Sequence, residues 1–499
     1  MHIEKNVCES IIGTLLNIPG KTKDGVKSRL DLLEMGLRPD LAPRFGLKRT
    51  YLPPACYTLS RKEKKIVLQT LADLKVPEGY CSNFRNLVSM EELKLNGLKS
   101  HDYHALMQQL LPVAIRSVLP KHVRYAITRL CFFFNALCAK VVDVSRLNDI
   151  QQDIVVTLCL LEKYFPPSIF DIMLHLTVHL VREVRLCGPV YMRWMYPFER
   201  YMKVLKGYVR NHNRLEGCIV ECYIAKEALE FCTEYLSGMD AIGIPSSMKD
   251  EWKCGKPLLG GRAITIHDYK LVEQAHHYVL QNTTIVSDDI SKKEPIKKEL
   301  KWLAQGPRQQ VLTYPGYIIH GCRYHIKNRD EARVNQNSGV SIVASTMQIA
   351  SSKDKNPVLG DMCFYGIITE IWDLDYNMFN ICVFKCDWVD SKNGVKVDEL
   401  GFTLVDLSKI GHKSDPFILA TQAQQVFYVE DQVDPRWSIV LSRPKMELFD
   451  IEGDDNIADN CMEHHPFANE MPNIKSFDEV EDYDEICMRT DCEGIWIEN

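Results

Sequence analysis

The apolar residues of this chain change their spacing part-way along it. Between residues 101 and 236 they recur every three or four positions, whereas from about Tyr314 they form short runs rich in β-branched and aromatic residues, separated by turn residues. A helical period does not suit a strand, and a strand period does not suit a helix. The sequence therefore predicts an α+β, multidomain protein, in which an all-α helical bundle precedes a small, mostly-β domain, either a barrel or a twisted sheet.

Residues that start or stop helices divide the first of these regions. Pro120 precedes one amphipathic segment, and Pro166 and Pro167 end the next helix, at about 147–165. Ser168 is expected to cap a third helix that ends near Gly188. Two more helices are predicted at about 197–209 and 216–236. Because short connections are typical of antiparallel neighbours, these segments predict a compact bundle.

Acidic residues are concentrated at the end of the chain. Residues 446–499 carry 17 Asp and Glu against two basic residues, Lys475 and Arg489, so residues 1–445 have a net positive charge. A basic body favours polyanions as partners. The composition of this acidic segment predicts a disordered tail. The tail could keep the protein solvated, bind a basic partner or act as an intramolecular mimic of nucleic acid.

The remaining composition restricts the compartment and the class of protein. The 18 cysteines include no Cys-x-x-Cys pair and no secretory signal precedes them, which predicts reduced thiols and an intracellular protein. No apolar run approaches the roughly 18 to 20 residues that cross a bilayer, so we expect no membrane partner. Gly260 and Gly261 lack the spacing and the lysine of a phosphate-binding loop, which argues against a nucleotide hydrolase.

A basic segment near residue 206 is the first candidate for binding. Its members are Lys203, Lys206, Arg210 and Arg214, interleaved with Tyr201 and Tyr208. At near-helical spacing, such a row can follow a phosphate backbone while a tyrosine stacks on an exposed base. The pattern is equally typical of a solvated helix face that pairs with Glu199 or Glu216.

Two acids follow this basic segment. Metal-dependent phosphoryl transfer needs carboxylates that hold two divalent ions about 4 Å apart. Glu216 and Glu221 lie near the start of a long predicted helix, where a third acid could meet others carried on strands. Ordinary helix charge is the alternative, since an acid such as Glu216 is stabilised near a helix N-terminus.

Several strings of the sequence resemble plant CACTA-type (En/Spm) transposases. Those in the first half are residues 1–7 (MHIEKNV), 13–16 (GTLL), 21–24 (KTKD) and a block from 110–116 (LLPVAIR) to 193–202 (RWMYPFERYM). Later strings are similar to the companion domain of unknown function in the C-terminal part of the same proteins. They are residues 387–390 (DWVD), 401–407 (GFTLVDL), 415–420 (DPFILA) and 425–429 (QVFYV).

The resemblance implies a cut-and-paste DNA transposase with a ribonuclease-H-like core, in which three acids and two Mg²⁺ ions cleave transposon ends. In the family, the MHIEKN string follows a long region that carries the first two catalytic acids, and this chain begins at that string. His2 would match the histidine of an Asp-x-x-His motif whose aspartate is absent here. By resemblance, Glu221 is the first choice for the final catalytic acid and Glu216 the second.

These matches lead to an expectation about activity. The chain carries only one of the three catalytic acids that the resemblance implies, so the chain alone is expected to hold Mg²⁺ poorly and not to cleave DNA. No metal ligand is assigned in it. We expect a C-terminal fragment or relic of a CACTA-type transposase that binds transposon-end DNA and a protein partner, such as the full-length transposase, in the nucleus. The alternative is a non-catalytic protein-interaction protein that uses its β domain and acidic tail.

The resemblance and the spacing together predict how the chain is divided. The expected segments are a remnant of the transposase core (1–50), a helical connector (51–100), an all-α transposase-associated domain (101–240), a linker (241–312), a mostly-β transposase-associated domain (313–445) and an acidic, disordered tail (446–499).

Overall fold

Helices make up most of the first half of the chain in the computed structural model, which describes residues 2–235, 255–283, 298–348, 358–442 and 488–498. They are α1 (His2–Leu15), α2 (Val26–Glu34), α3 (Arg61–Asp73), α4 (Ser100–Ala105), α5 (Leu111–Ala114), α6 (Lys121–Leu137), α7 (Leu147–Tyr164), α8 (Ile172–Cys187), α9 (Tyr196–Gly207) and α10 (Leu215–Tyr235). A π turn, Leu106–Leu110, joins α4 to α5. Within the described ranges, no helix is long and apolar enough to span a membrane.

Local hydrogen bonds set where two of these helices begin. At α3 the Ser60 hydroxyl accepts the Glu63 N–H at 3.2 Å, and the Glu63 carboxylate accepts the Ser60 N–H at 2.8 Å. At α8 the cap is Asp171, whose carboxylate accepts the N–H groups of Met173 and Leu174. The expectation that Ser168 caps this helix is wrong, because its hydroxyl donates to the Lys23 carbonyl instead.

One hydrophobic core runs through α1 and α3 to α8. It contains buried residues from Val7 to Val184 and also Phe402, Phe427 and Leu441, which lie in the second half of the chain. The boundaries expected at residues 50 and 100 therefore do not separate independent cores. The first 190 residues pack together, and part of the β region packs onto them.

Strands dominate the second half of the chain, but the first four occur earlier. The strands are β1 (Arg44–Phe45), β2 (Arg49–Leu52), β3 (Val88–Ser89), β4 (Lys94–Leu95), β5 (Lys256–Pro257), β6 (Arg262–Thr265), β7 (Gln310–Thr313), β8 (Gly316–Ile319), β9 (Cys322–His325), β10 (Gly339–Gln348), β11 (Val358–Asp375), β12 (Asn380–Val389), β13 (Val395–Val397), β14 (Thr403–Val405), β15 (Ile410–Gly411), β16 (Phe417–Leu419), β17 (Gln424–Glu430), β18 (Ser438–Ser442) and β19 (Ile495–Glu498). Three further helices lie among them: α11 (Tyr269–Asn282), α12 (Lys298–Gln305) and α13 (Lys327–Glu331).

The main sheet is antiparallel and open. Its strand order is β13-β14-β18-β17-β10-β11-β12-β15, with β7 and β16 attached to β11 and β12. The longest pairing joins β10 to β11, from Gly339 opposite Ile367 to Gln348 opposite Val358. Because β13 and β15 do not pair with each other, the described strands form no closed barrel. Of the two expected architectures, the open sheet is the one observed.

The segment expected to be a linker belongs in part to this β region. Strand β6 pairs with β7, which pairs in turn with β11. On α11, Ala275 and Val279 are buried in a cluster with Trp372 and Phe417 of the sheet. The linker interpretation is therefore corrected for residues 255–283 and 298–312, and residues 241–254 and 284–297 lie outside the described residues. The apolar face of α11 is narrow, so its spacing alone did not distinguish it from a linker.

The last described residues correct part of the expected tail. Strand β19 pairs antiparallel with β2, from Ile495 opposite Leu52 to Glu498 opposite Arg49. Residues 488–498 therefore belong to the fold and return to its N-terminal part. The rest of the acidic segment, 446–487, lies outside the described residues.

Candidate nucleic-acid interface

Helices α9 and α10 form a hairpin that carries most of the predicted site residues. The connection between them, residues 208–214, folds back so that the Cys222 thiol lies 3.9 Å from the Tyr208 carbonyl oxygen. The Asn211 side-chain oxygen accepts the Asn213 N–H at 3.0 Å, and the Asn211 carbonyl accepts the Arg214 N–H at 3.1 Å. A short polar turn of this kind reverses the chain.

The four predicted basic residues are all exposed but do not form one helical row. Lys203 and Lys206 lie on α9, whereas Arg210 and Arg214 lie in the connection, because α9 ends at Gly207. The prediction of a continuous near-helical stripe is therefore wrong after residue 207. The turn at Asn211 instead concentrates the arginines at one end of the hairpin.

The N-terminus of α10 adds positive potential at the same end. The first backbone bond of this helix runs from the Cys218 N–H to the Arg214 carbonyl at 3.2 Å. The preceding N–H groups, up to Gly217, have no partner within a helix, so this end carries a partial positive charge. The opposing charge at this end is Glu216, which is exposed. Arg210, Arg214 and the helix end together form a site with the chemistry that binds phosphate.

The two predicted tyrosines differ in how they are presented. Tyr201 is 39% exposed, and its pKa is raised, first by partial loss of hydration and then by a hydrogen bond with Tyr223 of α10. Tyr208 is half-buried at the start of the connection. Tyr201 therefore lies next to Tyr223 of α10, and Tyr208 lies in the same connection as the two arginines.

The structure does not bring the predicted catalytic residues together. Glu216 and Glu221 are both exposed on α10, and their spacing places them about 140° apart around the helix axis. His2 is exposed at the start of α1. Within the described part of the chain, no group of three or more His, Cys, Asp or Glu residues is arranged to hold a metal ion. These residues do not fit the two-Mg²⁺ site that the resemblance implies, and we derive no chemical step from it.

Two of the resembling strings meet in the interior. Glu4, from MHIEKNV, is 1% exposed, bonds the His104 ring and accepts the Gln108 amide at 2.7 Å. The His104 ring stacks on Trp194, from RWMYPFERYM, with centroids 5.4 Å apart. A lone acid within an N-terminal motif gives no sequence signal for this contact. The structure therefore assigns Glu4 a place in the core.

The hairpin also exposes apolar side chains that the sequence interpretation missed. Those that are at least half exposed are Met195, Phe198, Met202, Val220, Ile224, Leu229, Phe231 and Tyr235. The available signal was in α10, where apolar residues occur all around the helix rather than on one face. A helix of that kind is usually covered on more than one side.

Comparison with known families finds two domains in the chain. Residues 137–243 match a family model described as a domain of unknown function, DUF4218, and residues 372–440 match another, DUF4216. The first covers α7 to α10, and the second covers the sheet from within β11 to β18. The two domains are typical of plant transposase-like proteins. No curated protein and no solved structure matches the chain.

Proposed function

We propose that this chain is the C-terminal part of a CACTA-type (En/Spm) transposase and binds the DNA of transposon ends in the nucleus. The single observation that carries the DNA-binding proposal is the convergence of Arg210, Arg214 and the N-terminus of α10 at the tip of one hairpin. Lys203 and Lys206 extend the positive surface along α9. DUF4218 and DUF4216 together support the transposase-like class.

DNA binding of this kind is electrostatic and not specific for sequence. Each lysine or arginine that neutralises a phosphate releases condensed counterions, so affinity falls steeply as salt rises. Phosphate contacts set the position of a protein on the duplex, and base contacts set its specificity. The hairpin tip is therefore proposed to position DNA.

The test uses a fluorescent duplex with the transposon-end sequence and the full chain. Changing Arg210 and Arg214 together to Gln is expected to weaken binding at least tenfold. The slope of log affinity against log salt should fall by about two, near 0.9 for each lost phosphate contact, measured between about 50 and 200 mM salt.

A matched control makes the same change of charge at another place on the protein. Lys392 and Lys413 are exposed in the β region, and changing both to Gln should leave the affinity and the slope near those of the unaltered chain. Equal losses in the two double variants would show that only net charge matters. That result would contradict the proposed site.

We further propose that the chain alone binds DNA without cleaving it. Glu216 and Glu221 lie on different sides of α10, and the described residues include no group of three or more His, Cys, Asp or Glu arranged to hold a metal ion. Incubation of the purified protein and labelled duplex with Mg²⁺ or Mn²⁺ should give no nicked product. Nicking that is abolished by Glu221→Gln would show that this part of the proposal is wrong.

Binding of a protein partner is a second candidate function for the same hairpin. The observation in its favour is the set of exposed apolar side chains, of which Phe231 is 71% and Phe198 is 62% exposed. Large apolar surfaces of this kind mark interaction sites. Binding of a partner there should respond little to salt, whereas DNA binding should weaken steeply.

A further inference from the structure

A small three-stranded sheet carries a second surface with the chemistry of nucleic-acid recognition. Its order is β1-β2-β19, so its strands come from the two ends of the described chain. In the register, Arg44 lies opposite Tyr51, and Tyr51 lies opposite Trp496. Residues directly opposite each other in a sheet share one face. We call Arg44, Tyr51 and Trp496 the stacking face.

The three side chains of the stacking face contact one another in a row. The Arg44 guanidinium lies 5.9 Å from the centroid of the Tyr51 ring. The Tyr51 and Trp496 rings have centroids 5.0 Å apart and are tilted by 51°. Trp496 is 62% exposed although it is large and apolar, so much of its indole faces solvent. The row therefore presents aromatic surface next to a fixed cation.

Three exposed basic residues lie in or near this row. Arg44, Lys48 and Arg49 are exposed, and Lys48 lies in the connection between β1 and β2. The acid opposite Arg49 is Glu498, at 3.4 Å, and both side chains are largely exposed. Exposed ion pairs contribute little, so Arg49 can exchange this partner for a phosphate at small cost. The charge of the face complements a polyanion.

Contacts near the end of the chain hold Trp496 in position. The Arg489 guanidinium bonds the Glu63 carboxylate at 2.8 Å and the Thr58 carbonyl at 2.9 Å. Gly494 permits close approach to β2, because a Cβ there would lie 2.2 Å from the Leu52 carbonyl oxygen. Stacking on a side chain that is already held costs less entropy than stacking on a mobile one.

We propose that the stacking face binds single-stranded nucleic acid. Bases stack on Trp496 and Tyr51, and Arg44, Lys48 and Arg49 contact the phosphates. Aromatic stacking accepts every base, so binding has little sequence preference. A duplex keeps its bases inside, which makes this site distinct from the duplex site proposed at the α9–α10 hairpin. An acidic peptide would pair with the basic side chains but would not stack on the exposed aromatic rings.

The first experiment measures binding of fluorescent oligothymidylate of about 12 nucleotides to the full chain. Trp496→Ala is expected to weaken binding about tenfold, whereas Trp496→Phe, which keeps a ring, should lose much less. Tyr269→Ala is the matched control, because Tyr269 is 65% exposed on α11, away from this face. Duplex affinity should be unchanged in Trp496→Ala, which separates this site from the hairpin.

The second experiment leaves the protein unaltered. An oligonucleotide of the same length with abasic sites keeps the phosphates but removes the bases, and it should bind about tenfold more weakly. Equal binding of the abasic and normal strands would overturn the proposal. So would equal weakening by Trp496→Ala and Tyr269→Ala, or competition by an acidic peptide as strong as that by the oligonucleotide.

Discussion

Helices α6 and α10 have similar shares of apolar residues but opposite environments. Apolar residues occupy 11 of the 17 positions of α6 and 13 of the 21 positions of α10. In α6, 13 of the 17 residues are buried, including Phe133 and Leu130, which have no exposed surface. In α10, none of the side chains that the structure describes is buried, and Phe231 is 71% exposed.

The contrast shows that apolar content alone does not place a helix in the core. Helix α6 contacts α7 and the helical segment before it, and its Phe132 packs against Phe402 of the β region. The contacts of α10 include Tyr223 with Tyr201 of α9 and the Cys222 thiol with the Tyr208 carbonyl oxygen. Burial, and with it stability, is therefore concentrated in α1 to α8 and in the β region, while the hairpin presents a surface.

The largest expected effect comes from the buried helix. Phe133→Ala should lower the free energy of unfolding by about 3 to 5 kcal/mol, because it removes a fully buried ring and leaves a cavity. Denaturant unfolding followed by circular dichroism measures the change. A loss below roughly 1 kcal/mol, as is usual for surface substitutions, would mean that α6 is not part of the stable core.

A buried ion pair tests how firmly the sheet is joined to the bundle. Arg116 follows α5, and its Nε donates to the Asp431 carboxylate at 2.7 Å, while Asp398 contacts the same guanidinium. Arg116→Met should cost about 3 kcal/mol, because it leaves a buried carboxylate without its cation. Adding Asp431→Asn should recover part of the loss. The matched exposed pair is Arg436 with Asp434, and Arg436→Met should lower the free energy of unfolding far less than Arg116→Met does.

The attachment of the C-terminal strand should depend on pH. Burial favours the neutral form of Glu63, but hydrogen bonds from Arg489 and Ser60 outweigh it and hold the pKa of Glu63 below its ordinary value of 4.5. Because the pKa of Glu63 is lower in the folded state than in the unfolded state, this stabilisation is complete above the ordinary value of 4.5. It is lost as pH falls through the lowered pKa.

The resulting prediction concerns how the free energy of unfolding changes at acidic pH. Stability should begin to decline below about pH 4.5, and Glu63→Gln should flatten the decline by less than about 1 kcal/mol, since the carboxylate is partly screened by solvent. Unfolding free energies at several pH values measure this. Identical acid limbs in the two proteins would show that the Glu63–Arg489 contact contributes nothing to the fold.

The smallest expected effect lies on the exposed helix. Phe231→Ser should change the free energy of unfolding by less than about 0.5 kcal/mol, because the ring is already largely in water. The same denaturant measurement applies, with Phe133→Ala as the buried reference. If Phe231→Ser lowers the free energy of unfolding as much as Phe133→Ala, α10 is covered in solution and does not differ from α6 in burial.

The sequence predicts α6 and α7 closely, because their apolar residues follow one periodic face and prolines mark the start of α6 and the end of α7. The change of spacing likewise predicts that the chain forms strands from about Tyr314 onwards. Sequence reasoning assigned the basic residues correctly to one segment but placed them in a continuous row. The turn at Asn211 is set by a side-chain bond within a few residues, and such bonds compete closely with helix continuation.

The sequence by itself determined the types of element and their order, since local spacing decides which faces of a segment are apolar. Tertiary structure alone decided which of these faces are covered. It also decided that Glu4 meets His104, and that Trp496 lies beside Tyr51. These contacts join residues about 100 and more than 400 positions apart, and they depend on the path of the whole chain rather than on any local pattern.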